Sequence, residues 1–179
     1  RDKLAALIME PIMLNLGCVL PKEGYLQEMR EITEENDIPL IFDEVKCGFK
    51  PAPGGAQEYY GVTPDMTVLA KAIANGFPLS AIVGRSDIIN VTDPVEGKVL
   101  YGGTYNGNQM AVAAASATLD ELQTGEIQAY LNKSTQNLIQ TFHRLAEDKG
   151  IPARMQGIGG NFQTYFTDEG VVDYRSTFD

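Results

Sequence analysis

Short apolar runs alternate with longer segments of helical spacing along this chain, and only a few architectures accommodate that order. Residues 4–9 form a continuous apolar run closed by Glu10-Pro11, which reads as a fully buried strand ending before a proline. Residues 24–36 carry Leu26, Met29 and Ile32 on an otherwise charged segment, the spacing of a helix with one apolar stripe. Residues 39–42 make a second short strand that stops on Asp43-Glu44; residues 66–69 make a third and residues 79–83 a fourth. The alanine-rich stretch 110–122 predicts a helix packed closely on its neighbours. A long helix is predicted over 127–149, stopped by Gly150 with Pro152 just beyond. Such alternation predicts βαβ units and an α/β fold with a mainly parallel sheet. From 153 to 166 the pattern changes to glycines and then alternation through Phe162-Gln-Thr-Tyr-Phe166. This predicts antiparallel strands of a second, incomplete domain starting within or just after the long helix.

Composition narrows the function. The chain has 179 residues, 44% of them apolar and 21% charged, with a formal net charge of −10. That is the make-up of a packed globular core rather than a disordered one. An acidic surface argues against nucleic acid or an anionic membrane as partner, since both require basic groups to meet phosphates. No apolar run approaches the ~20 residues of a membrane helix. Two cysteines, Cys18 and Cys47, are too few for a disulfide framework, lack metal-ligand spacing and read as buried thiols in a reducing, cytoplasmic setting. The chain opens on Arg1 and almost at once enters a core-like strand, with no signal peptide, so a segment is expected to precede it.

Ligands of open parallel sheets bind beyond the carboxyl ends of the strands. The polar residues there are Glu10 and Asn15 after the first strand, Asp43 and Glu44 after the second, and Lys71 after the third. A carboxylate at Asp43, at the edge of a buried region, needs a partner. It either caps a helix or pairs with an arginine, or it faces the protonated ring nitrogen of a cofactor. Lys71, flanked by Leu69-Ala70 and Ala72-Ile-Ala74, is expected to have its ammonium desolvated, which lowers its pKa and makes it nucleophilic. The commoner fate of a lysine is to keep its head in water. The two lie 28 residues apart, about one βαβ repeat. A third element, Tyr101-Gly-Gly-Thr-Tyr-Asn-Gly-Asn108, precedes the alanine-rich helix. Its Gly103 and Thr104 can offer a backbone N–H and a hydroxyl to a phosphate, or the stretch is simply a tight turn with Asn108 or Thr104 near a helix start. Lysine, aspartate and an anion-cradling turn on a parallel sheet are the protein's share of a pyridoxal phosphate site.

The stretches Ile41-Phe-Asp-Glu-Val-Lys-Cys-Gly-Phe49, Pro64-Asp-Met-Thr-Val-Leu-Ala-Lys-Ala-Ile-Ala-Asn-Gly-Phe-Pro78 and Gly102-Gly-Thr-Tyr-Asn-Gly-Asn108 resemble the class III pyridoxal-phosphate aminotransferases of fold type I. Glu10-Pro-Ile-Met-Leu-Asn-Leu-Gly-Cys18 and Pro53-Gly-Gly-Ala-Gln-Glu-Tyr-Tyr-Gly-Val-Thr-Pro-Asp65 are similar to the glutamate-1-semialdehyde aminomutase branch of that family. The resemblance runs over nearly the whole chain. It implies a partial large domain, three-layered, over 1–125, and over 126–179 a connecting helix and the start of a small C-terminal α+β domain. It implies that Lys71 carries pyridoxal 5'-phosphate and moves the substrate proton, that Asp43 keeps the ring nitrogen protonated, that Val45 packs on the ring and that Asn15 bonds the ring hydroxyl. Thr104 would reach the phosphate of a neighbouring subunit, making the active unit a homodimer. The substrate would be a small amino and keto or amino-aldehyde compound.

Two family features, a serine/threonine-glycine phosphate segment and an aromatic residue stacking on the ring, belong upstream and are not in this sequence. Leu14 stands where the aminomutase branch has a glycine. The chain therefore reads as a middle piece that does not build a normal pyridoxal phosphate site alone. The rival enzyme reading is an ω- or β-amino-acid aminotransferase, and the non-enzymatic rival is a remnant that keeps the fold but not the site. His143, the single histidine, reads as a surface residue. The triplets at Asn90 and Asn132 match glycosylation acceptors but lack a secretory context. Gly157-Ile-Gly-Gly160 fails the dinucleotide fingerprint at Phe162.

Overall fold

In the computed structural model, which describes residues 3–178, four strands form one mixed sheet in the order β1–β2–β3–β4. These are β1 (Leu7–Met9), β2 (Leu40–Asp43), β3 (Met66–Leu69) and β4 (Ala81–Gly84). The first three are parallel, with Met9 opposite Phe42 and Asp43 opposite Val68; β4 returns antiparallel, with Leu69 opposite Ala81. The crossover from β1 to β2 is α1 (Tyr25–Glu35), and that from β2 to β3 is the short α2 (Gly55–Tyr60). The sequence pattern does not announce α2, because six residues hold too few turns to show a period.

Alternation decides which face is buried. Leu40 and Phe42 point to the same side of β2, are fully buried, and meet Leu26 of α1 and Val62. Leu7 and Met9 pack against that cluster, but Ile8, on the other face, is 61% exposed. The first strand is thus shorter than the apolar run 4–9 suggests, half-buried on one face and exposed on the other. No described element covers Ile8, so an apolar residue there does not report burial.

β4 leads into α3 (Ser86–Ile89); α4 (Gln109–Leu122) and α5 (Glu126–Asp148) follow. Asn108 starts α4 as a side-chain cap, accepting from the amides of Met110 and Ala111 at 3.1 Å. Ala115 of α4 packs on Ile73 and Ala74, just beyond β3; the small alanine side chain lets the helix approach closely.

The tail is the predicted antiparallel pair. β5 (Arg154–Ile158) and β6 (Asn161–Tyr165) form a hairpin across Gly159-Gly160, whose φ of +59° and +81° match the left-handed two-residue turn. A Cβ on Gly159 would lie 2.7 Å from the Lys50 backbone, so this turn is seated directly on the chain leaving β2. Asn132 of α5 ties the two together, donating to Pro51 O at 2.8 Å and accepting from the Gly159 amide at 3.1 Å. Its side chain thus has a role inside the fold, donating and accepting between α5, the chain after β2 and the hairpin turn. His143 also departs from expectation: it is half-buried, and its Nε2 accepts from the Met155 amide at 2.8 Å, pinning α5 to β5.

Cys18 and Cys47 are free and buried, as their spacing suggests. Burial pushes both thiols up, and at Cys47 the Glu44 carboxylate adds to the effect. In the folded protein both should react with a disulfide reagent roughly tenfold or more slower than after unfolding. Equal rates in the two states would show that these sites open freely.

Candidate functional site

The parallel register brings two of the predicted residues to the same edge of the sheet. Asp43 is the last residue of β2, and Lys71 stands two residues past the end of the adjacent β3. One oxygen of Asp43 accepts from the Val45 amide at 3.0 Å, a local turn that also sets the direction of Val45. Its other oxygen has no partner among the described residues, and the half-buried carboxylate joins no ion pair there. Neither alternative for Asp43, a helix cap or an arginine partner, is what forms. The neighbouring Glu44 is the residue that meets a helix, accepting from the α2 amides of Ala56 and Gln57 at 2.7 and 3.1 Å.

Lys71 is exposed rather than desolvated, at the edge of an open concavity that it lines with Lys50, Ala72 and residues 75–78. Its backbone is held at φ +50°, in the left-handed region that a lysine adopts at a cost of about 1–2 kcal/mol. Its ammonium makes no hydrogen bond or ion pair among the described residues. Lys71 shares a shallow concavity of about 560 Å³ with Lys50, Ala72, Asn75, Gly76, Phe77 and Pro78. Lys50 is half-buried there and donates to Asn161 Oδ1 at 2.9 Å; burial lowers its pKa, and the charges of Lys46 and Lys71 act in the same direction. The sequence carries little signal for Lys50, which stands one residue beyond the Ile41–Phe49 motif that holds Asp43.

No side chain of the other predicted residues hydrogen-bonds Asp43 or Lys71 among the described residues. Asn15 is exposed, and its amide donates to Glu10 Oε1 at 3.0 Å, while Glu10 Oε2 accepts from the Leu14 amide at 3.1 Å. Glu10 thereby shapes the loop after β1, and Asn15 is its partner. Val45 is half-buried. Gly103 and Thr104 are exposed in the turn before α4 and share no hydrogen bond with Asp43 or Lys71. Among the described residues no group of three or more His, Cys, Asp or Glu side chains could hold a metal. No helix there is long and apolar enough to cross a membrane.

The donor set fits pyridoxal phosphate. A carboxylate with one unpartnered oxygen suits a protonated ring nitrogen, and an unpaired amine suits the aldehyde carbon.

Comparison with known proteins agrees. The profile of the family described as aminotransferase class-III matches residues 1–174. The chain is 47% identical over 175 residues to the glutamate-1-semialdehyde 2,1-aminomutase of Methanocaldococcus jannaschii, covering 98% of this chain and 41% of that protein. Among solved structures it resembles a β-phenylalanine aminotransferase from Variovorax paradoxus at TM-score 0.92 and 30% identity, covering 98% of this chain and 41% of that one. It also resembles a glutamate-1-semialdehyde aminomutase of Pseudomonas aeruginosa in complex with PMP, at TM-score 0.82 and 28% identity, covering 96% and 40% respectively. The chain thus spans about two fifths of the length of these relatives.

Proposed function

The chain belongs to the class III aminotransferases, and from that membership we propose that Asp43 and Lys71 are the cofactor pair of a pyridoxal-phosphate enzyme that moves an amino group within glutamate 1-semialdehyde to form 5-aminolevulinate. The observation that carries this reading is the placement of a carboxylate with one unpartnered oxygen and of an unpaired lysine at the same end of adjacent parallel strands. Identity to the aminomutases is what selects the substrate.

When bound, pyridoxal phosphate accepts the electron pair left behind as a proton leaves the amine-bearing carbon. The chain's residues divide the remaining work. Asp43 holds a proton on the ring nitrogen through the oxygen that Val45 leaves free. Lys71 Nζ would hold the cofactor and would then move the proton between the substrate carbon and the cofactor. Val45 would pack on the ring and Asn15 would hydrogen-bond its hydroxyl. Gly103 and Thr104 offer an amide and a hydroxyl to the phosphate of a neighbouring subunit, a role for which their exposure leaves them available. The active unit is then a homodimer acting on a small amino-aldehyde in the cytoplasm. Residues 1–125 form part of the large domain, with 126–179 passing to the small one.

The full-length protein, given glutamate 1-semialdehyde and no amino donor, should form 5-aminolevulinate. A second reading, transfer of the amine from an ω- or β-amino acid to a 2-oxo acid, is favoured by the higher TM-scores to two aminotransferases, 0.90 and 0.92. Product that appears only when an amino donor and a keto acceptor are both supplied would establish that reading in place of the first.

A further inference from the structure

Beside Asp43 lies a buried acid that the proposed chemistry leaves unused. Glu44 is 1% exposed and pairs with no cation among the described residues. Its Oε2 accepts from the Ala56 amide at 2.7 Å and the Cys47 thiol at 3.7 Å. Its Oε1 accepts from the Gln57 amide at 3.1 Å and from Gln57 Nε2 at 3.2 Å. The backbone is held as well: the Glu44 amide donates to Val68 O at 2.9 Å, and its carbonyl accepts from Gly48 N at 2.8 Å. Burial pushes its carboxyl above the ordinary range despite these donors, so the site tolerates little displacement of any of them.

A helix cap would end there. This network continues: Gln57 Nε2 also donates to Thr67 Oγ1 at 3.1 Å. Thr67 is 3% exposed in the middle of β3, opposite Phe42 and four residues before Lys71. One chain of side chains, Glu44–Gln57–Thr67, therefore joins the strand end that presents Asp43 to the strand that delivers Lys71. Capping a six-residue helix does not require the last link.

Resting on the reading of Asp43 and Lys71 as the cofactor pair, we infer that Glu44, acting through Gln57 and Thr67, is a positioning residue. It holds Asp43 in register with Lys71 and so governs how firmly Asp43 keeps the ring nitrogen protonated. Because Glu44 and Thr67 are both buried in the interior, the effect is transmitted through the placement of the two strand ends.

The test uses the full-length protein with pyridoxal phosphate and three variants: Glu44→Gln, Thr67→Val and Thr67→Ser. The readouts are the pH titration of the cofactor's visible absorbance, the Kd for pyridoxal phosphate and the melting temperature. Thr67→Val keeps the shape of the side chain and removes the acceptor for Gln57. It should weaken cofactor binding by about threefold to tenfold, the size of one displaced hydrogen bond. It should also move the titration midpoint by about half a pH unit. Thr67→Ser should restore both. Glu44→Gln should show larger shifts; if it fails to fold, Thr67→Val still decides the question. A lower melting temperature with unchanged Kd and titration in Thr67→Val would overturn the inference, leaving Glu44 as a helix cap only. Retention of the visible band in Lys71→Ala would instead overturn the cofactor reading on which the inference rests.

Discussion

Replacing Lys71 by alanine in the full-length protein should slow amino-group transfer by roughly a thousandfold or more, the range expected when the group that both anchors and moves a proton is lost. The visible absorbance that depends on the lysine should vanish, while cofactor held by Asp43 and the phosphate donors remains bound. Lys71→Arg should not recover the rate, since a guanidinium stays protonated throughout the working pH range. The prediction follows from position. Lys71 is delivered at the end of β3 next to the Asp43 strand end, with its amine unpaired and its backbone in the left-handed region. Measuring turnover and spectrum together checks it. Turnover within tenfold of the parent would move the role to another amine, and Lys50, in the same concavity with a lowered pKa, is the one to substitute next.

The largest effect on stability is expected at Asp65. This carboxylate is 6% exposed and accepts from the Leu40 amide at 2.8 Å, from Arg30 at 2.7 Å and from Arg85 at 2.9 Å. It thereby fastens β2, α1 and the chain after β4 to the start of β3. Burial alone would raise its pKa, but the Leu40 N–H and the two guanidiniums outweigh burial and hold it down at about 2. A carboxyl whose folded pKa lies below its unfolded value of 3.8 stabilises the fold above pH 4 and loses that contribution as pH falls toward 2. The shift corresponds to about 2 kcal/mol. Asp65→Ala should cost more, about 3 kcal/mol, because it also leaves Arg30 partly buried without its counter-charge. Thermal or denaturant unfolding at pH 7, 4 and 3 checks both statements. The gap between the parent and Asp65→Asn should narrow as pH falls. A gap that stays constant would mean that the Asp65 carboxyl has the same pKa folded and unfolded, so that folding does not favour its ionised form.

Much of the architecture was legible from period alone. Helices α1, α4 and α5, strands β2 and β3 and the terminal hairpin lie within a few residues of where their apolar spacing predicts them. What escaped did so for physical reasons. The α2 helix is shorter than two turns, so no stripe could show. The run 4–9 overstated burial, because apolar character says that a face can be covered and not that it is. The polar network around Asp65 and the bond from Met155 to His143 join residues distant in sequence, so no local pattern encodes them.

The candidate site divides along the same line. That Asp43 and Lys71 sit at strand ends, and that a glycine-rich turn precedes a helix, could be read from residue types and spacing. Which acid caps α2 could not, since Asp43 and Glu44 are neighbours of the same charge. Only the pleat, sending one toward the open edge and the other into the interior, assigns Glu44 to the helix and leaves Asp43 an unpartnered oxygen. By itself the sequence determined the order of the longer elements and the family, because both are carried by local periodicity and contiguous motifs. The tertiary structure alone decided the exposure of Lys71, the pairing of Asp65 and the link from Glu44 to Thr67. Burial and hydrogen bonding between distant segments exist only once the parallel register of β2 and β3 has brought those segments together.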